Sequence, residues 1–287
     1  MNAFYAWLAE LARAGKLPRA FEYPFVTRGL LAVTLLAPLL GGVSHLVVAR
    51  RMAFFSSVIG HGALTGLTIG LLLGAPADTP WIGMLGFCTI LGIGISYVKR
   101  RSPLSPDTLI GVFMALTLGL GVCLLVAATK TFNVHQIEGL MFGSLLTVTD
   151  VDLLVLVIAC VVVGAIVAWR YNALLLDSVD TRLASTSKVG TTFVEYLFVV
   201  LLTAAIVVSL KIVGALLVEA LVVVPAAAAR NVVRTTRGYW LVSIAIAFVS
   251  GVGGIFISSG WAVPTGGAVV LALSAAFFVT LAFRRRH

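Results

Sequence analysis

The chain has 287 residues, 60% hydrophobic and only 11% charged, with a formal net charge of +9 and a mean hydropathy of +1.11. A soluble domain carries roughly 25% charged residues, so a water-soluble globule is excluded. The basic residues stand in short clusters at the ends of apolar runs, which excludes a nucleic-acid surface and matches the Lys/Arg bias of cytoplasmic loops.

A helix needs about 20 apolar residues to cross ~30 Å of hydrocarbon, and only helices or closed barrels satisfy their backbone in lipid. The apolar runs here lack period-2 alternation, so an all-α polytopic membrane protein is expected. Residues 1–24 carry Glu10, Arg13, Lys16 and Arg19 and no long apolar core. They read as an amphipathic segment on the membrane surface, not a cleavable signal. Apolar spans follow at about 25–49, 53–75, 80–98, 108–129, 151–169, 192–210, 213–229, 239–257 and 265–283, making nine, with eight as the alternative. The seventh is short and holds Pro225, which predicts a broken or tilted helix. The stretch 136–148 is too short to cross and reads as re-entrant or interfacial. Cys88, Cys123 and Cys160 lie inside apolar runs without CxxC spacing and read as small core residues.

Nine alternating spans put 50–52, 99–107, 170–191, 230–238 and 284–287 on one side. Those segments hold fourteen of the twenty Lys and Arg. The positive-inside rule makes that side the cytoplasm, with the N-terminus outside and the C-terminus inside. The longest cytoplasmic loop, 171–192, contains DTRLAST, which a helix N-capped by Asp180 would accommodate. Residues 25–287 are thus one transmembrane domain.

Ionisable groups inside hydrocarbon are costly and mark function by default. His61 lies midway along the second span and Glu219 lies in the seventh, six residues before Pro225. Imidazole and carboxylate together suit zinc, manganese or iron. The bland alternative leaves His61 hydrogen-bonded to a neighbouring helix and Glu219 protonated. His45 and Lys211 are weaker candidates near span ends, where such side chains reach the interface. Glu195 is also near a span end and is expected to be solvated. His135 and Glu138 are weaker outer-loop candidates for meeting an incoming metal. Pro225 and the small residues Ala226 to Ala229 suit a moving or partner-facing helix.

The stretch RRMAFFSSVIGHGALTG, residues 50–66, resembles a signature of the metal-ion permeases of ATP-binding-cassette importers, whose usual form is R-R-M-S-L-x-G-D-A-[LI]-S-H-A-x-x-P-G. SPDTLIGVFMALTLGLGV, EGLMFGSLLTVTDVDLL, VGALLVEALVVVPAAAAR and VPTGGAVVLALSAAFF agree in the same order. With FEYPFVTRGLLA the resemblance covers residues 21–283. It implies a transport subunit without an enzyme active site or permanent cofactor, whose cargo is a divalent metal ion. It also implies a prokaryotic cell-membrane location, a second copy of the permease, cytoplasmic ATPase subunits and an extracytoplasmic metal-binding protein. The 171–192 loop, with Asp180, Arg182 and Ala184, becomes the expected ATPase contact. No G-x-x-x-x-G-K-[ST] phosphate loop occurs in the chain.

Three of this chain's departures from the family form lie close to His61. Ser57 stands for the aspartate, Gly60 for the serine and Thr65 for the proline. Glu219 stands where the family usually has a small or apolar residue. The expected metal pathway is therefore His61 and Glu219, with Ser57 a poor ligand at the vacated position. Two other readings remain open: a secondary transporter using His61 and Glu219 as a proton relay, and an importer permease for a metal chelate.

Overall fold

The computed structural model describes residues 24–74, 81–128, 148–179, 190–261 and 263–283. Among these residues nine helices are long and apolar enough to cross a membrane. Helix α1 runs over Pro24–Leu36, a π turn at Ala37–Gly41 and Gly42–Ala49; α2 is Phe55–Leu72, α3 Trp81–Arg101 and α4 Pro106–Ala128. Then come α5 at Asp150–Val179, α6 at Thr191–Val213, α7 at Ala215–Val232, α8 at Thr236–Trp261 and α9 at Thr265–Ala282. Helices α1, α2 and α6 form the centre, while α4, α5 and α9 turn most of their surface outward. The outward side chains are themselves apolar, Val112, Leu154, Val161 and Leu271 among them. Such a surface suits lipid, since a soluble monomer rarely exposes large apolar patches.

Without a hydrophobic drive between helices in lipid, close packing rests on small residues. The α2–α3 contact shows this directly. A Cβ built on Gly66 would lie 2.6 Å from the Gly83 carbonyl oxygen, and one on Gly83 would lie 2.5 Å from that of Gly66. The two backbones therefore touch with nothing between them. At the α1–α2 turn Arg51 takes φ 56°, a conformation uncommon outside glycine, and Met52 beside it is buried.

Charges are pinned at the helix ends in two belts. At one end Arg28 pairs with Asp150 at 3.2 Å and Lys211 with Asp152 at 2.9 Å, the Lys211 ammonium also lying 4.5 Å from the Trp81 ring centre. At the other end Arg50 meets Asp177 at 2.8 Å, and Lys99 and Arg100 both meet Glu195 at 3.0 Å. The starts of α1, α3 and α5 thus share a side with the end of α6, as alternating spans require.

Three expectations change. Helix α5 continues through Val179, so the first part of the expected 171–192 loop is helical. Asp180, Arg182 and Ala184 lie outside the described residues, as do His135, Glu138, the 136–147 stretch and residues 1–23. Helix α7 is not broken at Pro225 but runs through it. Next to the proline, the Ala226 amide donates to Ser44 Oγ on α1 at 3.2 Å, a buried partner from a neighbouring helix of the kind that makes membrane prolines tolerable. Third, Glu195 is not solvated but buried between two cations.

Gly83→Val should lower the thermal unfolding midpoint of the purified chain, because overpacking a close contact costs roughly 1–3 kcal/mol. Gly86→Val, whose Cβ position has open space, should leave the midpoint unchanged in the same scan.

Candidate metal pathway

His61 sits in the second turn of α2. Ser57, His61 and Leu64 form a half-buried stripe on a helix that is otherwise mostly buried, at the i, i+4, i+7 spacing of one face. On α7 the residues Glu219, Val223 and Ala227 form a matching half-buried stripe. The two helices meet at Gly60. Its Cβ position lies 3.7 Å from Glu219 Oε1, 3.7 Å from Ala215 Cβ and 3.6 Å from Leu210 Cδ1. Glu219 therefore rests its carboxylate on the α2 backbone at the residue before His61. A cavity of about 20 Å³ opens there, lined by Gly60, His61, Leu64, Leu210 and Ala215 among others. That is room for about one water molecule.

The chain between α6 and α7 narrows to Gly214, at φ 82° and ψ 164°, a region essentially reserved for glycine. Helix α2 runs a further twelve residues beyond Gly60, to Leu72, roughly 18 Å along its axis. The α6–α7 break thus lies beside the middle of α2, not at its far end. Interrupted helices at membrane depth are tolerated where they are buried or line a cavity, and in transporters they line binding sites.

Of the departures at Gly60 and Thr65, only the second has a local explanation. A Cβ at 60 would meet Leu210, Ala215 and Glu219 only at ordinary van der Waals distance, so the glycine there has no steric explanation. A proline at 65 would remove the amide that bonds the His61 carbonyl. Thr65 keeps that amide, and its hydroxyl is shared between the carbonyls of His61 and Thr117, each at 3.3 Å. Among the described residues, no set of three or more His, Cys, Asp or Glu converges in a metal-binding arrangement. The Glu219 carboxylate rests against Gly60, the residue before His61, and Ser57 lies one turn from His61 on α2. Pro225 lies on the same helix as Glu219, buried.

His45 departs from expectation. Instead of reaching the interface it is 1% exposed, and neither ring nitrogen has a hydrogen-bond partner. Its ring lies 6.0 Å from that of Tyr171 and 5.9 Å from that of Tyr239. The buried ion pairs were the larger omission from the sequence reading. Arg50 donates to the Leu174 carbonyl at 3.2 Å and lies 4.4 Å from the Phe198 ring centre, besides its Asp177 bond. Burial pulls the Arg50 guanidinium below its ordinary pKa, while the charges of Asp177 and Glu195 hold it up. Asp177 carries a usable signal, an acid about two turns into a nominal loop that follows an uninterrupted helical run.

With this geometry in place, comparison with known proteins identifies the chain. The ABC 3 transport family matches residues 22–284. The chain belongs to that family. It is 30% identical over 265 residues to the high-affinity zinc uptake system membrane protein ZnuB of Haemophilus influenzae, covering 92% of this chain and 98% of that one. It is 28% identical over 259 residues to the manganese import system permease protein ScaB of Streptococcus gordonii, covering 90% and 91%. The solved structure of PsaBC from Streptococcus pneumoniae in complex with Fab superposes with a TM-score of 0.78 at 25% identity, covering 98% of this chain and 95% of that one. The expected family and all-helical permease fold are thereby established.

Arg50→Ala should destabilise the family member described here strongly, about 3–5 kcal/mol, because it strands Asp177 without its cation. The paired change Arg50→Met with Asp177→Leu should recover most of that loss in the thermal midpoint.

Proposed function

We propose that the chain is the membrane-spanning permease subunit of an ATP-binding-cassette importer that carries a divalent transition metal, zinc or manganese first and iron next, into the cytoplasm. His61 and Glu219 form its metal path. The observation that carries this reading is Glu219 Oε1 at 3.7 Å from the Gly60 Cβ position, beside His61. The names of the two relatives, one for zinc uptake and one for manganese import, support the cargo class.

Two protein ligands leave a typical four-coordinate ion incomplete. The half-buried stripes on α2 and α7 suit contact with a second copy, and a two-fold axis there would bring a second His61 and Glu219 to the same path. The segment after Val179, with Asp180, Arg182 and Ala184, docks the ATPase subunits, which alone hydrolyse ATP. The N-terminus faces outside and the C-terminus inside. A solute-binding protein delivers metal to the outer face, where His135 and Glu138 stand. Residues 1–24 lie on the membrane surface.

The test is uptake of radiolabelled zinc and manganese into proteoliposomes holding the permease, ATPase and binding protein. His61→Ala should abolish uptake. Glu219→Gln should reduce it by at least about tenfold, since even changes behind the ligands cost ~10–100-fold in metal sites. Ser57→Asp placed in the Glu219→Gln background should restore part of it, by returning a carboxylate at i, i+4 from His61. Unchanged uptake in Glu219→Gln, with His61→Ala inactive, removes Glu219 from the path. Unchanged uptake in both removes the path.

A further inference from the structure

A second cavity, of about 540 Å³, lies across α1 from α7, between α1, α5 and α8. Its size falls in the ~300–1,000 Å³ range of small-molecule sites. Its walls are almost wholly apolar and include Pro38 at the π turn, Cys160, Gly164 and Tyr171 on α5, and Trp240 and Arg237 on α8. Among the described residues no acidic side chain lines it. From Cys160 to Tyr171 the α5 wall rises roughly 16 Å at 1.5 Å per residue, half of the ~30 Å hydrocarbon thickness. The groove therefore has the depth of one leaflet. Arg237 and Trp240, both exposed, stand in the first turns of α8, at the end shared with Tyr171 and the Arg50 belt. The Trp240 indole nitrogen lies 3.5 Å from the Cβ position of Gly42, so the ring lies against α1 at the groove wall.

We infer that this groove binds one anionic phospholipid of the leaflet on the Arg50 side, its acyl chain along Gly164 and Cys160 and its phosphate on Arg237. An apolar slot one leaflet deep, ending in a single unopposed cation and an interfacial tryptophan, matches the chemistry of such a lipid at both ends. Lys and Arg near span ends reach readily to the headgroup level. The slot lies on the far side of α1 from Glu219 and His61. A second copy that covers the α2 and α7 stripes leaves it open to lipid.

The experiment uses the full-length chain in nanodiscs of phosphatidylcholine, into which phosphatidylglycerol with brominated acyl chains is titrated. Trp240 quenching is read as the difference between the wild type and Trp240→Phe. Brominated phosphatidylglycerol should quench Trp240 at a mole fraction several-fold below that required of brominated phosphatidylcholine. Arg237→Ala should move the phosphatidylglycerol curve onto the phosphatidylcholine curve. Gly164→Leu, at a position with open space for a side chain, should abolish the high-affinity quenching with an unchanged thermal midpoint. Coincident curves in the wild type overturn the proposal, as does an Arg237→Ala curve that stays in place. Cross-linking of two copies through Gly164→Cys would overturn it too, showing that protein covers the groove. None of these readouts depends on metal uptake.

Discussion

Hydrocarbon offers a charged side chain no partner, and this constraint arranges the whole molecule. Nine charges near helix ends are held by opposite charges: Arg28 on Asp150, Lys211 on Asp152, Arg50 on Asp177, Lys99 and Arg100 on Glu195. Each pair joins ends of different helices, so it also sets which ends lie together. Buried pairs of this kind add little net stability because desolvation offsets attraction. Their effect is on arrangement: a helix inserted the wrong way round would leave a charge in lipid without its partner.

Against that background Glu219, in the second turn of α7, stands apart, since its carboxylate rests on the α2 backbone at Gly60. That carboxylate packs at ordinary contact distance from Gly60, and Gly214 ends α6 so that α7 can begin beside α2. The departures from the family signature at Ser57, Gly60 and Thr65 fall within three turns of one helix. Gly60 contacts the new carboxylate, while Thr65 retains the helical bond to the His61 carbonyl. They read as one local rearrangement around His61, not as three unrelated substitutions.

Much of this was legible in the sequence because membrane proteins write their architecture in simple physical terms. Hydropathy marks each span, and the basic clusters mark which loops share a side; the belt pairs confirm that alternation. Tertiary partners were not legible. Nothing in the local pattern tells that Ser44 accepts the Ala226 amide beside Pro225, that Glu195 bridges Lys99 and Arg100, or that His45 is buried between two tyrosines. In each case the deciding neighbour is far away in the chain. The end of α5 was misplaced for a different reason: YNALLLDSV is polar enough to look like a loop, yet Asp177 is neutralised by Arg50 and the helix loses nothing by continuing. The lipid groove has no sequence signature at all, being assembled from three helices around a π turn.

The placement of the proposed ligands has a mechanical consequence. An aspartate at 57 and a histidine at 61 would occupy one face of one helix, and no rigid-body motion could separate them. Glu219 and His61 belong to different helices, and α7 is joined to α6 only through Gly214. A carrier site must hold its ion well enough to admit it and weakly enough to release it. Two ligands on separate helices meet that requirement directly. If His61 and Glu219 share the ion as proposed, movement of α7 against α2 would separate the two ligands and lower affinity. Turnover of the ATPase subunits can then act on the site through helix position alone. A difference in affinity between the two arrangements would let such a cycle take the ion up on one side and release it on the other.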